Sequence, residues 1–269
     1  MTTPTFHLIG LPTDSNSSFE RGPAQAPAAI RAALGSERGN SACEDGLELG
    51  TDFTIIDRGD LALTETLSDH AAIRAAATAS IDTGAIPLLL GGDHSVTWPI
   101  LEAIHAAHGP VDLLHFDAHP DLYADFEGNP RSHASPFARI MEAGLVRRLV
   151  QVGVRTLNRH CRYQAARYGV EIIPMADFTA VAVPILSGPL YISLDLDGID
   201  PSEAPGVSHP EPGGLIVREV LAVLRRQTAQ LVGADVVEYN PRFDHHDRTA
   251  IVAAKLVKEI AALGARNAG

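Results

Sequence analysis

The chain has 269 residues, 45% of them apolar and 20% charged, enough to close one large core and outside the disordered and fibrous classes. Its formal charge of −12 offers no general surface for polyphosphate, so nucleic acid is excluded as a partner, while a small cationic substrate suits it.

In chain order, β-type runs occur at 6–9, 53–56, 86–90, 111–116, 149–154, 170–173, 190–194 and 231–237. Several are apolar on both faces, the mark of parallel strands buried under helices. Alanine-rich segments at 27–34, 69–82, 99–107, 136–143, 159–168, 218–227 and 249–263 read as helices between them. Ser68 is expected to cap the second, and Gly84 to end it. Such alternation predicts a doubly wound α/β sheet with helices on both sides. No repeat or linker interrupts it, so one domain over 1–269 is expected. The segment 201–214 is a long loop just past a strand end, where open α/β sheets bind ligands.

The two cysteines, Cys43 and Cys161, lack a CxxC spacing, so no disulfide framework is expected. No apolar stretch approaches the roughly 20 residues of a membrane span, and the segment Met1 to Gly10 lacks the features of a signal peptide. The expectation is a soluble cytoplasmic protein without a membrane partner.

Chemistry concentrates at strand ends. Asp117-Ala118-His119-Pro120-Asp121 follows the run 111–116, and period-two alternation puts Asp117 and His119 on one face. Carboxylates and an imidazole at the edge of a core need a cation or protons, although the segment alone also fits a charged turn. Asp195-Leu196-Asp197 closes the run 190–194 in the same way, with Asp200-Pro201 beyond; alone it also fits a solvated acidic turn. Gly91-Gly92-Asp93-His94-Ser95 follows the run 86–90, and its glycines would let a tight turn aim His94 into the same mouth. Together these pieces bring four carboxylates and two imidazoles to one crevice, too many for a single catalytic ion and a suitable set for two. Oxygen and nitrogen donors without thiolate favour Mn²⁺ over Zn²⁺.

His133, in a loop before a helix, has the titration range for proton transfer, and a plain loop histidine is the alternative. Glu238 closes Asp235-Val236-Val237-Glu238, where a carboxylate can pair with a guanidinium; a capping or surface glutamate is its alternative. His115 reads as a hydrogen-bonded core histidine, and His245-His246 as solvated.

The ordered set of motifs around His94, Asp117 to Asp121, Ser132-His133-Ala134-Ser135 and Asp195 to Pro201 resembles the manganese ureohydrolases, the arginase and agmatinase family, from about Phe6 to the last helix. The resemblance implies a three-layer α/β/α fold with a central, mostly parallel eight-stranded sheet and two manganese ions per chain. It implies that His94 and Asp121 hold one ion, His119 and Asp197 the other, and that Asp117 and Asp195 bridge them. His133 matches the family's proton-shuttling histidine, and Glu238, in Glu238-Tyr239-Asn240-Pro241, the residue that positions the guanidinium. A metal-activated hydroxide then attacks the guanidino carbon and urea leaves. Trimers or hexamers are typical of the family.

The segments around Phe126 to Asn129, Ser132 to Glu142 and Ala204 to Gly214 look like plant-type arginases. The animal enzymes' Ser-Gly-Asn-x-His loop is absent around His133, and His209 stands where those enzymes carry a threonine facing the guanidinium. Arginine is the expected substrate, with agmatine or another guanidino acid as the alternative. Asn129 and Arg131 are positional candidates for reading a substrate carboxylate. A zinc deacetylase and a non-catalytic guanidino sensor are the competing classes. Six ligand-type residues with Glu238 speak against the first, and the retained His133 against the second.

Overall fold

The structure is a computed structural model that describes residues 3–268. The apolar runs pair into one sheet of eight strands: β1 (Thr5–Gly10), β2 (Thr54–Asp60), β3 (Ile86–Leu90), β4 (Val111–Phe116), β5 (Val146–Val152), β6 (Glu171–Ile173), β7 (Leu190–Asp195) and β8 (Leu231–Val237). Their order across the sheet is β2-β1-β3-β8-β7-β4-β5-β6. A mostly parallel sheet was expected, and among the described residues every pairing is parallel. Strands β4, β7 and β8 are buried along their whole length, which is why they read as unbroken apolar runs.

Among the described residues seven helices cover the two faces: α1 (Ala26–Leu34), α2 (Ser68–Asp82), α3 (Thr97–His108), α4 (Pro136–Glu142), α5 (Arg159–Tyr168), α6 (Val217–Arg226) and α7 (Arg248–Arg266). Ile30 of α1, Leu224 of α6 and Ile260 of α7 share one core with Phe6 and Ile192. Ile73 of α2, Ile100 of α3, Phe137 of α4 and Cys161 of α5 share the other with Leu113 and Tyr191. The sheet therefore lies between two helical layers, and each fully buried Leu, Ile or Phe there stabilises the fold by about 1.5–3 kcal/mol.

Three local expectations needed correction. β2 runs on to Asp60 through Asp57-Arg58-Gly59, because an edge strand with one exposed flank tolerates polar residues. β5 begins three residues earlier than 149, since exposed Arg147 and half-buried Arg148 interrupt its apolar signal. Ser68 does not cap α2; it is the helix's first residue. The preceding turn is instead held by Asp69, whose carboxylate accepts from the N–H groups of Thr64, Glu65 and Thr66.

After β3 the chain resumes at β4, three positions away, and the gap is later filled by β8 and β7. The carboxyl ends of these four central strands open into one crevice, the switch point where doubly wound sheets bind ligands.

Candidate metal centre and substrate cleft

All six sequence-derived ligand candidates meet in that crevice. Asp117 follows β4 directly, and Asp121 follows a turn in which it adopts φ +46°. Asp195 ends β7, and its carboxylate accepts from the Asp197 N–H at 2.7 Å, which winds the chain into a short 3₁₀ turn presenting Asp197. His94 opens a 3₁₀ turn after β3 that Asp93 caps by accepting from Ser95 N–H at 3.1 Å.

The donor atoms sort into two groups. His94 Nδ1 lies 3.0 Å from Asp195 Oδ2, 3.2 Å from Asp121 Oδ2 and 3.4 Å from Asp117 Oδ2. His119 Nδ1 lies 3.1 Å from Asp197 Oδ2 and 3.4 Å from Asp117 Oδ1. Asp117 thus turns one oxygen to each group. His94 Nδ1 is buried and, despite three carboxylates within reach, hydrogen-bonds none of them. An orphaned imidazole nitrogen facing carboxylate oxygens is the arrangement a divalent cation requires, so the residues present fit a metal.

The electrostatics point the same way. Burial, reinforced by Asp197 and Asp117, holds the Asp195 carboxyl well above the usual range. Burial also raises Asp197, to about 6, against the pull of His119 and with the repulsion of Asp117. Asp117 goes the other way: burial would raise it, but His115, His119 and His94 around it hold it well below. Carboxylates that repel one another inside a dry crevice favour any cation that enters.

Beside this cluster stand Glu238 and His133. Glu238 takes φ +63°, rare for a residue with a long side chain, and its N–H donates to the Gly92 carbonyl at 2.8 Å. Its Oε1 accepts from His94 N–H and from His133 Nδ1–H, both at 2.8 Å. His133 Nε2 lies 2.8 Å from Ser18 Oγ. Burial lowers the basicity of His133, but the Glu238 carboxylate more than offsets this and leaves its pKa at about 9.

The glycines before His94 serve a purpose other than the expected turn. Neither Gly91 nor Gly92 has a positive φ. A Cβ on Gly92 would sit 1.7 Å from the Thr13 carbonyl oxygen, and one on Gly91 2.5 Å from Val237 Cγ1. Close backbone approach is what requires glycine here. Gly92→Ala is expected to push away the loop that carries Asn16 and Ser18, at a cost of about 1–3 kcal/mol from overpacking. A melting temperature equal to that of the wild type would contradict it.

A cleft of about 200 Å³ opens on the cluster, lined by His119, Asp121, His133, His209 and Glu238 and also by Ser18, Tyr123 and Asn158. No Lys or Arg is among its lining residues. His209 lies with its ring 5.3 Å from that of His133 and 6.0 Å from that of His119. Asn129 and Arg131 do not line this cleft. Asn129 Nδ2 donates to Asn16 Oδ1 at 3.2 Å, and Arg131 lies over Trp98 in a neighbouring cavity of about 370 Å³ on the far side of the Thr13–Asn16 loop. The loop after β4 curls outward before it returns to His133, which linear distance from His133 did not reveal. His115 is a buried, hydrogen-bonded histidine as expected, and His245 and His246 are exposed.

Residues 4–262 match the family model described as Arginase family. The chain is 46% identical to a Medicago truncatula protein named "Arginase, mitochondrial", over 96% of this chain and 81% of that one. The solved structure of an arginase from Medicago truncatula superposes with a TM-score of 0.94 at 44% identity, covering 97% of this chain and 88% of the other. The chain belongs to the arginase family. It is a hydrolase of the type that acts on guanidino C–N bonds.

Family membership spans more than one substrate. The chain is 45% identical to "Arginase 2, chloroplastic/mitochondrial" of Arabidopsis thaliana, over 96% of this chain and 80% of that one. It is 34% identical to "Agmatinase, mitochondrial" of Gallus gallus, over 94% of this chain and 79% of that one. These names correct the expectation of a cytoplasmic protein, since they point to an organelle. The sequence could not draw that line: two free, buried cysteines suit any reducing compartment. Among the described residues no helix is long and apolar enough to cross a membrane.

Several site residues escaped the sequence reading. Ser18 and Asn16 reach the site from a loop more than a hundred positions from His133, with no motif to mark them. Gln151, Ser193 and Asp235 did leave a signal, as polar residues inside otherwise apolar strands.

Proposed function

We propose that this arginase-family hydrolase converts L-arginine to L-ornithine and urea with two Mn²⁺ per chain. In this reading, His94 and Asp121 hold one ion, His119 and Asp197 the other, and Asp117 and Asp195 are shared. The ions, when bound, supply a nucleophilic water at neutral pH and stabilise developing negative charge. The observation that carries the substrate class is Glu238. With Oε1 occupied by His94 and His133, Oε2 has no hydrogen-bond partner among the described residues and can receive a guanidinium in a cleft lined by no Lys or Arg.

Water adds to the guanidino carbon, the bond to the alkyl nitrogen breaks, and His133 hands the departing amine its proton. His209 flanks His133 and closes one wall around the planar group. With no Lys or Arg lining the cleft, a substrate carboxylate is read by hydrogen bonds from groups such as Ser18, Tyr123 and Asn158. The same lining leaves agmatine, or another guanidino acid, as the second reading. We infer one ureohydrolase domain over 1–269, and a trimer or hexamer on the family resemblance.

The test is urea release by manganese-loaded protein, with arginine, agmatine and 4-guanidinobutyrate compared by kcat/KM and metal content measured alongside. Preference for arginine with two manganese per chain supports the reading. Preference for agmatine moves the substrate and leaves the site assignment intact. One zinc per chain and no urea would overturn both.

A further inference from the structure

Two residues back along β4 and β7 from Asp117 and Asp195, a single rung of the sheet is polar. Parallel register sets Gln151 of β5 beside His115 of β4, His115 beside Ser193 of β7, and Ser193 beside Asp235 of β8. Strand alternation turns His115 and Ser193 to the same side as Asp117 and Asp195. All four are at most 1% exposed. Four adjacent polar side chains in the centre of a buried sheet destabilise it unless every one is bonded.

The bonds have a direction. Gln151 Nε2 donates to the Pro120 carbonyl at 2.6 Å and to His115 Nδ1 at 3.0 Å. Turning the amide over would set its oxygen against that carbonyl, so Pro120 decides which end meets the imidazole. His115 Nδ1 is then the acceptor, and Nε2 donates its proton to Asp117 Oδ2 at 2.9 Å. At the other end of the rung, Asp235 accepts from Ser193 Oγ at 2.7 Å, from Tyr191 at 2.7 Å and from Thr97 at 3.0 Å. With its one proton committed to Asp235, Ser193 Oγ meets His94 Nε2, 2.9 Å away, as an acceptor. His94 therefore donates from Nε2 and turns Nδ1, the orphaned atom, toward three carboxylates.

We propose that this rung is a positioning layer for the metal centre, with Gln151 acting through His115 on Asp117 and Asp235 acting through Ser193 on His94. It fixes the orientation of two imidazole rings before a divalent cation arrives, so binding requires neither ring to flip. The inference rests on the metal reading above and extends it to residues that touch neither ion nor substrate. Outer partners of this kind typically set metal affinity by about 10- to 100-fold.

Manganese dissociation constants of the full chain, titrated from the metal-free state, test it in the wild type, Ser193→Ala and Gln151→Met. Ring ¹⁵N spectra of the metal-free wild type supply a readout that needs no variant. Expected are an Nε2–H tautomer for His115 and affinity losses of about 10- to 100-fold in both variants, measured at a temperature where each metal-free protein is folded. Affinities within twofold of wild type, or an Nδ1–H tautomer for His115, would overturn the positioning layer. A wild type that binds no manganese would instead sink the metal reading on which it rests.

Discussion

Asp195→Asn is expected to abolish manganese binding and urea release while raising the melting temperature of the metal-free protein; Asp117→Asn is expected to lose metal, activity and stability together. The difference follows from what each carboxylate already accepts. Asp195 Oδ1 takes the Asp197 N–H at 2.7 Å, and Oδ2 faces His94 Nδ1 at 3.0 Å. An Asn amide satisfies both, with its oxygen on the Asp197 N–H and its NH₂ on the His94 lone pair. It also removes a carboxyl that burial, Asp197 and Asp117 drive toward its protonated form. A raised carboxylate penalises the fold increasingly as pH climbs past its ordinary value, so the metal-free variant gains stability at neutral pH. Asp117 leaves no room for an amide. Oδ1 accepts His119 N–H at 2.6 Å and Oδ2 accepts His115 Nε2–H at 2.9 Å, so either orientation of Asn sets donor against donor. An unsatisfied buried donor costs about 1–3 kcal/mol, a fall of roughly 2–4 °C per kcal/mol in a protein of this size.

Both substitutions are expected to reduce kcat/KM by on the order of 10³ or more, since several kcal/mol of transition-state stabilisation depends on the ions. Calorimetry of the metal-free proteins and metal analysis of the loaded ones check this. Full manganese in either variant would contradict a carboxylate shared between the ions, and melting shifts of the same sign in both would contradict the hydrogen-bond reasoning.

The contrast shows where sequence reading ends. The convergence of the candidate ligands was legible because strand ends are: Phe116 and Leu194 close apolar runs, and the first polar residues after them have few places to point. Glu238 was legible for the same reason. Three strands, β3, β4 and β8, match their expected bounds to the residue, because continuous burial makes their edges abrupt. What the sequence could not supply was the order of strands. Register between β5, β4, β7 and β8 makes one polar rung of Gln151, His115, Ser193 and Asp235, and each of them alone is an isolated polar residue in an apolar run. Loops carried least signal of all. Asn129 and Arg131 looked suitable by distance from His133, yet Arg131 lines the neighbouring cavity and Asn129 bonds Asn16, while Ser18 arrives from the other end of the chain.

Glu238→Gln provides the second large effect: manganese retained, with kcat/KM reduced by about 2–5 kcal/mol of lost pairing with the guanidinium, and an altered response of stability to pH. Gln keeps an oxygen for the His94 N–H, so the turn that presents His94 survives. It loses the charge that raises His133. In the wild type, burial lowers His133, but Glu238, 2.8 Å away, brings it from an ordinary 6.5 to about 9. Asp121 and Asp93 also raise it, while His209 packs against its ring without adding positive charge, its own basicity lowered by burial and by His133. Because the folded-state value is the higher one, the stability from this pair is fully present below about pH 6.5 and is lost as pH rises through about 9, on the order of 3 kcal/mol in all. Metal-free wild type should therefore melt at progressively lower temperature between those limits. In Glu238→Gln the largest influence raising His133 is gone, and the fall across that interval should be shallower than in the wild type. His133→Asn separates the two functions of the pair: it keeps the metal and the guanidinium partner, and is expected to slow turnover by about 10²- to 10⁴-fold with little change in KM. A Glu238→Gln variant that kept the wild-type slope between pH 6.5 and 9 would show that Glu238 is not what charges His133, and the proton delivered to the leaving amine would need another source.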